Sequence, residues 1–163
     1  SLACFYFSEQ KLPIRLVRLF NTVGPRQVGS YGMVLPRFVS AALANEELVV
    51  YGDGKQSRCF CHVSDAVDGI LSVINSENTV GHVFNIGSTE EITIGDLAMK
   101  VVAELGSKSE IIYKPYEDAY GDGFEDMPRR IPDISKIKHV TGWEPKHTLS
   151  ETISHIAQSM SRR

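Results

Sequence analysis

The alternation of apolar and polar residues divides the chain into short strands and amphipathic helices. Strands are predicted at the alternating or β-branched runs 14–20, 48–51, 58–63, 83–87 and 111–113. Helices are predicted where apolar residues recur three or four positions apart, at 1–8, 33–45, 65–76, 94–105, 134–139 and 149–160. This order of strands and helices predicts an α/β fold.

Capping and turn residues set the expected ends of these elements. Asp65 with Asp68 predicts a helix N-cap and its capping-box partner. The glycines of segment 52–54 predict a hairpin turn that joins the strands on either side. Segments 21–30 and 114–132 are rich in Gly, Pro and polar residues and are predicted to be loops. A loop as long as the second one is usually functional.

Composition excludes several classes of protein. The chain has 163 residues, a formal net charge of −3 and a hydrophobic share of 42%, which suits one globular domain and not a collagen-like, coiled-coil or disordered chain. Basic residues form no large patch, and no apolar run approaches the roughly 18 residues of a membrane helix. We therefore expect neither a nucleic-acid nor a membrane partner. Three cysteines form no disulfide framework and favour a reducing, cytoplasmic setting.

Candidate ligand-binding residues follow the first strand and recur later in the chain. Asn21 comes directly after strand 14–20, and side chains at the carboxyl end of a strand face the crevice where α/β proteins bind ligands. Its amide suits phosphate or sugar oxygens, although a local turn explains it equally well. Arg58, Arg129 and Arg130 could clamp a diphosphate, since a guanidinium matches phosphate geometry. The alternative is three solvated surface charges.

Three other motifs favour structural explanations. Tyr51-x-x-x-Lys55 has the spacing of a catalytic tyrosine–lysine pair, but that pair needs a helix and two glycines lie between its members. Cys59 and Cys61 are expected to be core cysteines, and no metal ligand is predicted because no second pair has zinc-site spacing. Trp143 is expected to anchor the packing of the last two helices. The scattered histidines support no assignment: His82, His139, His147 and His155.

Five segments, taken in order, resemble one known family. They are LPIRLVRLFNTVGPRQ, YGMVLPRFVSAAL, ELVVYGDGKQSRCFCHVSDAVDGI, VFNIGSTEEITIGDLA and MPRRIPDISKIKHVTGWEPKHTL, and they cover nearly the whole chain. Together they are similar to the C-terminal half of an extended short-chain dehydrogenase of the nucleotide-sugar epimerase/dehydratase family. The resemblance implies the last part of a Rossmann-type parallel sheet together with a small α/β substrate-binding domain.

The resemblance also implies which parts of such an enzyme lie elsewhere. Family members bind NAD mainly through an N-terminal glycine-rich loop, and their catalytic Tyr-x-x-x-Lys pair would lie upstream of Ser1. Residues 1–30 would be the remnant of the NAD-binding Rossmann domain, and residues 31–163 the nucleotide-sugar-binding region. The chain alone is therefore expected to hold no catalytic residue and to be inactive. Its cofactor contacts would be Leu19 and Phe20, beside the nicotinamide.

Ten positions match substrate contacts of the family. Asn21 would meet the sugar–diphosphate region. Arg58 and Arg130 would grip the diphosphate, with Arg129 nearby. The remaining positions would line the pocket of the nucleotide base: Val34, Leu35, Phe38, Leu48, Val50 and Tyr51.

The family's chemistry sets the expected function. The resemblance implies an NAD-dependent enzyme that modifies a nucleotide sugar through transient oxidation of its ring. A UDP-sugar epimerase is the leading expectation. A UDP-glucuronate decarboxylase or a nucleotide-sugar dehydratase shares the same C-terminal motifs, and a non-catalytic nucleotide-binding module is the alternative outside enzymes. The expected partners are a UDP-sugar and, for the full-length protein, a second copy in a homodimer.

Overall fold

The computed structural model describes residues 2–27, 33–116 and 127–162, apart from the side chain of residue 4. The helices are α1 (Leu2–Gln10), α2 (Val34–Ala44), α3 (Val63–Asn75), α4 (Ile94–Leu105), α5 (Ser135–Thr141) and α6 (Leu149–Ser161), with a 3-10 turn at Glu77–Thr79. The strands are β1 (Leu16–Leu19), β2 (Thr22–Val23), β3 (Leu48–Tyr51), β4 (Ser57–Cys59), β5 (Cys61–His62), β6 (Val83–Ile86), β7 (Glu91–Thr93), β8 (Ile111–Lys114) and β9 (Arg129–Arg130). Among these residues no helix is both long and apolar enough to span a bilayer.

Most of the strand pairs are parallel and join distant parts of the chain. β1 pairs with β6, β2 with β5 and β3 with β8, all in parallel. β4 lies between β7, to which it is antiparallel, and β9, to which it is parallel. Parallel neighbours need crossover connections, and helices lie between the paired strands. The predicted α/β class is therefore confirmed.

Two hydrophobic clusters hold these elements together. The larger one packs α2, α4 and α6 around β3, and its fully buried members include Leu35, Leu48, Leu97 and Ile153. The smaller one packs α3 and α5 against β6. Burial of each such side chain contributes about 1.5–3 kcal/mol. Packing, more than local propensity, therefore positions these short strands.

Trp143 belongs to the smaller cluster, and its expected place between the last two helices is wrong. A Cβ atom added to Gly69 of α3 would lie 3.0 Å from its ring, so the indole packs directly on the α3 backbone. Its Nε1 donates a hydrogen bond to the Asp65 carbonyl oxygen at 3.1 Å. The tryptophan therefore fastens α3 to β6 and α5.

The hairpin predicted around segment 52–54 does not form. Gly52 and Gly54 do have positive φ angles of 75° and 72°, as a tight turn requires. However, β3 pairs with β8, whereas β4 pairs with β7 and β9. The turn therefore carries the chain from one sheet into another. The two glycines predict the turn correctly, but β3 and β4 pair with strands more distant in the sequence and not with each other.

The start of α3 also differs from the prediction. The N-cap is His62, whose Nδ1 accepts a hydrogen bond from the Ser64 N–H at 3.1 Å. Asp65 lies inside the first turn and is 1% exposed. Its carboxylate is occupied by the backbone N–H and ring of His147. The Asp65 carboxylate makes a tertiary contact with His147 and does not cap the helix. The predicted capping box with Asp68 is therefore wrong.

The other differences between the predicted and observed elements concern short strands. The run 58–63 is two strands, β4 and β5, and α3 already begins at its last residue. β2 lies in the predicted loop 21–30, β9 lies in the predicted loop 114–132, and β7 was missed. Parts of both loops, residues 28–32 and 117–126, lie outside the described residues.

The two strand cysteines are confirmed as core residues. Cys59 and Cys61 are buried free thiols with no exposed surface. Burial is the main cause that raises the pKa of Cys59 to about 11 and that of Cys61 to about 12.

We expect both thiols to resist alkylation by iodoacetamide in the folded protein. At about pH 8 only roughly one Cys59 in a thousand is a thiolate, and the thiolate is the nucleophile. Peptide mapping by mass spectrometry measures the modification, and the same protein in denaturant provides the fully labelled control. Labelling of Cys59 or Cys61 at equal rates in the two samples would contradict the buried placement.

Candidate functional site

A cavity of about 560 Å³ opens where β1 and β2 end and α2 begins. One wall is apolar and comes from the start of α2, from β3 and from Phe60. A second, polar wall comes from Asn21, β4 and β9. A concave site with one apolar side and a few convergent polar groups is the usual form of a small-molecule pocket.

Asn21 organises the polar wall. It has a φ of 34°, in the left-handed region that asparagine tolerates better than most residues. Its Nδ2 donates to the Cys59 carbonyl oxygen at 2.8 Å, and its Oδ1 accepts from Arg130 Nη2 at 2.6 Å. One side chain therefore links the end of β1 to both β4 and β9.

Arg58 and Arg130 face the cavity together. They are register partners in the parallel β4–β9 pair, and paired residues of adjacent strands project from the same face of a sheet. Both line the cavity. Two like charges opposite each other on a sheet destabilise it. A bound anion would relieve that repulsion, which makes the pair a candidate anion site.

Arg129 is held away from the cavity. Its Nε and Nη2 donate to the two carboxylate oxygens of Glu91, both at 3.0 Å. Ser57 Oγ donates to the same carboxylate at 2.5 Å. The hydrogen bond from Arg129 is the largest cause that lowers the pKa of Glu91, followed by that from Ser57. This ion pair joins β7 to β9 across β4.

The apolar wall is built from alternate residues of β3 and the first turn of α2. Val49 and Tyr51 line the cavity, with the Arg37 guanidinium 5.6 Å from the centre of the Tyr51 ring. Val34 and Leu35 line it from α2. Flat apolar surfaces with a nearby guanidinium suit a planar ring.

The structure brings most of the candidate residues to this one cavity. Those that line it are Leu19, Asn21, Val34, Leu35, Tyr51, Arg58 and Arg130. Phe38, Leu48 and Val50 instead lie in the larger core cluster, at most 2% exposed, and Phe20 is half-buried beside Leu19. Because side chains alternate along a strand, β3 turns Val49 and Tyr51 to the cavity and Leu48 and Val50 to the core.

Sequence reasoning missed several groups. Gln56, Phe60, Ile94 and Tyr116 also line the cavity, and no motif marks them. Val49 could have been found from the period-two burial of β3. Three of the five histidines meet at a separate place described below, and two of them, His147 and His155, were regarded above as scattered.

The parallel strand pairs and the cavity at the strand ends define the fold of an extended short-chain dehydrogenase. The family model described as GDP-mannose 4,6 dehydratase matches residues 2–156. The chain therefore belongs to this family of NAD-dependent nucleotide-sugar epimerases and dehydratases.

Individual relatives fall within the same group. UDP-N-acetyl-alpha-D-glucosaminuronate decarboxylase of Bacillus cytotoxicus is 42% identical over 155 residues, which are 92% of this chain and 48% of that protein. UDP-glucuronic acid decarboxylase 4 of Arabidopsis thaliana is 36% identical over the whole chain and 35% of its own length. The solved structure of UDP-glucose 4-epimerase from Thermotoga maritima with UDP-glucose is 30% identical, with a TM-score of 0.86 over 97% of this chain and 49% of that one. The chain spans half or less of the length of these relatives.

We expect Glu91→Gln to lower the midpoint of thermal unfolding slightly at about pH 7 and by less at about pH 3. The folded-state pKa of Glu91 is depressed, so its contribution is present above the unfolded pKa and is lost as the pH falls through the folded pKa. Glu47→Gln, which removes an exposed carboxylate elsewhere, is the control. An equal effect of Glu91→Gln at both pH values would contradict the ion-pair role.

Proposed function

We propose that this chain is the substrate-binding part of an NAD-dependent enzyme that modifies a UDP-sugar, and that its reaction is decarboxylation of a UDP-sugar uronate. The observation that carries the proposal is the pairing of Arg58 and Arg130 on one face of β4 and β9, beside Asn21. All three residues line one cavity.

A diphosphate suits the polar wall. Charge-assisted hydrogen bonds from guanidinium to phosphate are short and strong, and the planar fork can engage two oxygens at once. Arg130 is pre-positioned by Asn21 at 2.6 Å, which reduces the side-chain entropy lost on binding. Arg129 is the weaker candidate for the same role because Glu91 already holds it.

The apolar wall would take the nucleotide base. Val34 and Leu35 line the cavity from α2, and Val49 and Tyr51 line it from β3. A base placed there would leave its phosphates near Arg58. Binding energy from this remote end of the substrate would orient the sugar toward the reacting groups, which is how such contacts assist catalysis.

Decarboxylation is favoured over epimerisation by the relatives. The two decarboxylases above match this chain at 42% and 36% identity, so the epimerase expected from the resemblance becomes the second candidate. It is supported by the epimerase structure at 30% identity, which holds UDP-glucose.

NAD would complete the site in the whole enzyme by accepting and returning a hydride at the sugar ring. Leu19 lines the cavity and is 50% exposed, so it offers an apolar surface that fits a nicotinamide ring. Phe20 follows it at the end of β1. We propose that residues 1–30 belong to the cofactor-binding domain and 31–163 to the substrate region, with β6 returning to pair with β1.

We expect the full-length protein to release carbon dioxide from UDP-glucuronate or from UDP-N-acetylglucosaminuronate when NAD is bound. UDP-glucose, which lacks the carboxylate, is the matched control. Proton NMR of the sugar product distinguishes loss of the C6 carboxylate, which marks decarboxylation, from inversion of a hydroxyl group, which marks epimerisation. Epimer formation without carbon dioxide would support the epimerase and contradict the decarboxylase.

We expect Arg58→Ala and Arg130→Ala each to weaken UDP binding by about 10- to 100-fold, because each removes a charge-assisted contact of about 1.5–3 kcal/mol. Arg18→Ala removes the same charge from an exposed arginine of β1 that does not line the cavity, and it should change the affinity much less. Isothermal titration calorimetry on the full-length protein measures all three. Unchanged affinity in both cavity variants would overturn the diphosphate assignment.

A further inference from the structure

Three imidazole rings meet on the side of the molecule formed by the start of α3 and by α6. His62 is the N-cap of α3, His147 precedes α6, and His155 lies on α6. Ring centres are 4.1 Å apart for His62 and His147, 5.3 Å for His62 and His155, and 5.8 Å for His147 and His155. One nitrogen from each ring lies within 4.8 Å of the other two.

We propose that these three residues, here called the histidine cluster, form a binding site for a transition-metal ion of the zinc class. A tetrahedral ion with Zn–N bonds of about 2.0–2.1 Å places its ligand nitrogens about 3.3–3.4 Å apart. His62 Nε2 and His155 Nδ1 are already 3.3 Å apart. Metal binding would require the stacked pair of His62 and His147 to open so that the remaining nitrogen reaches the same spacing.

Asp65 supplies the supporting contact that such sites use. Its Oδ1 lies 2.8 Å from His147 Nδ1, and its Oδ2 accepts the His147 backbone N–H at 2.9 Å. The carboxylate therefore holds His147 from two directions and leaves its Nε2 for a ligand. A carboxylate behind a ligating histidine fixes the ring orientation and raises its basicity at known metal centres.

Metal binding would rearrange one hydrogen bond. The Ser64 N–H donates to His62 Nδ1, so without metal the His62 proton lies on Nε2 and points at His155 Nδ1. On binding, that proton moves to His62 Nδ1 and the ion takes its place at Nε2, with no net proton release from this ring. The lost helix cap is a small cost beside the binding free energy of a structural zinc ion.

The imidazole ligand set favours a transition-metal ion, and the surroundings leave room for water. The cluster borders a surface hollow of about 620 Å³ that also includes Arg26, Ser64 and Arg162, so a water molecule can complete the coordination. Imidazole ligands without carboxylates select zinc, nickel, cobalt or copper over magnesium and calcium. The hollow shares no lining residue with the substrate cavity. The ion would therefore tie α3 to α6 and not take part in the proposed reaction.

The test is a metal titration of the complete, chelator-treated protein at about pH 7.5. Zn²⁺ and Ni²⁺ are added separately, with calorimetry and thermal unfolding as readouts. We expect one equivalent to bind and to raise the midpoint of unfolding. The affinity should fall at least tenfold in His155→Gln and in His147→Gln, and should be retained in His82→Gln, which alters a histidine outside the cluster.

Other results would overturn the proposal. They are the absence of saturable binding, binding that survives both cluster substitutions, or equal loss in His82→Gln. Should His147→Gln unfold through loss of its contact with Asp65, His155→Gln decides alone. Circular dichroism confirms that each variant is folded, and Co²⁺ added to the unaltered protein should give the visible absorption of a tetrahedral nitrogen site.

Discussion

The pairing of β9 with β4 is the contact on which the candidate site depends. β9 is two residues long, so its ladder hydrogen bonds alone cannot hold it. Ser57 N donates to the Pro128 carbonyl oxygen at 2.9 Å, Arg129 binds Glu91 through two hydrogen bonds, and Arg130 binds Asn21. These side-chain contacts fix the strand register, and the register places Arg130 next to Arg58. A shift of one residue would turn Arg129 into the cavity instead.

Asp65 has a comparable role beside the histidine cluster. It is almost completely buried, and an unpaired carboxylate there would be costly. Hydrogen bonds from His147 oppose the effect of burial and lower the pKa of Asp65. Through its carbonyl oxygen it also receives the Trp143 indole N–H. Asp65 therefore connects the start of α3 with the smaller hydrophobic cluster, through Trp143, and with the segment before α6, through His147.

The sequence predicted the helices well and the strand partners poorly. Periodicity and capping are local, so α4, with Thr93 accepting from the Asp96 N–H and Gly106 at its end, lies where it was expected. The partners of β3 and β4 depend on residues about thirty to seventy positions away, and no local pattern encodes them. For the same reason, local patterns do not predict which side chains of the candidate site meet in space. One cavity is lined by Asn21, Arg58 and Arg130, which the resemblance names as substrate contacts. The inward turn of Leu48 and Val50 and the meeting of three histidines depend on tertiary packing.

The central claim is that Arg58 and Arg130 act together on one diphosphate. A crystal structure of the full-length protein with UDP tests it most directly. The account predicts phosphate oxygens within about 3 Å of both guanidinium groups, with the uracil against the apolar wall of α2 and β3. Phosphates bound at Arg129, or UDP bound outside the cavity, would contradict it.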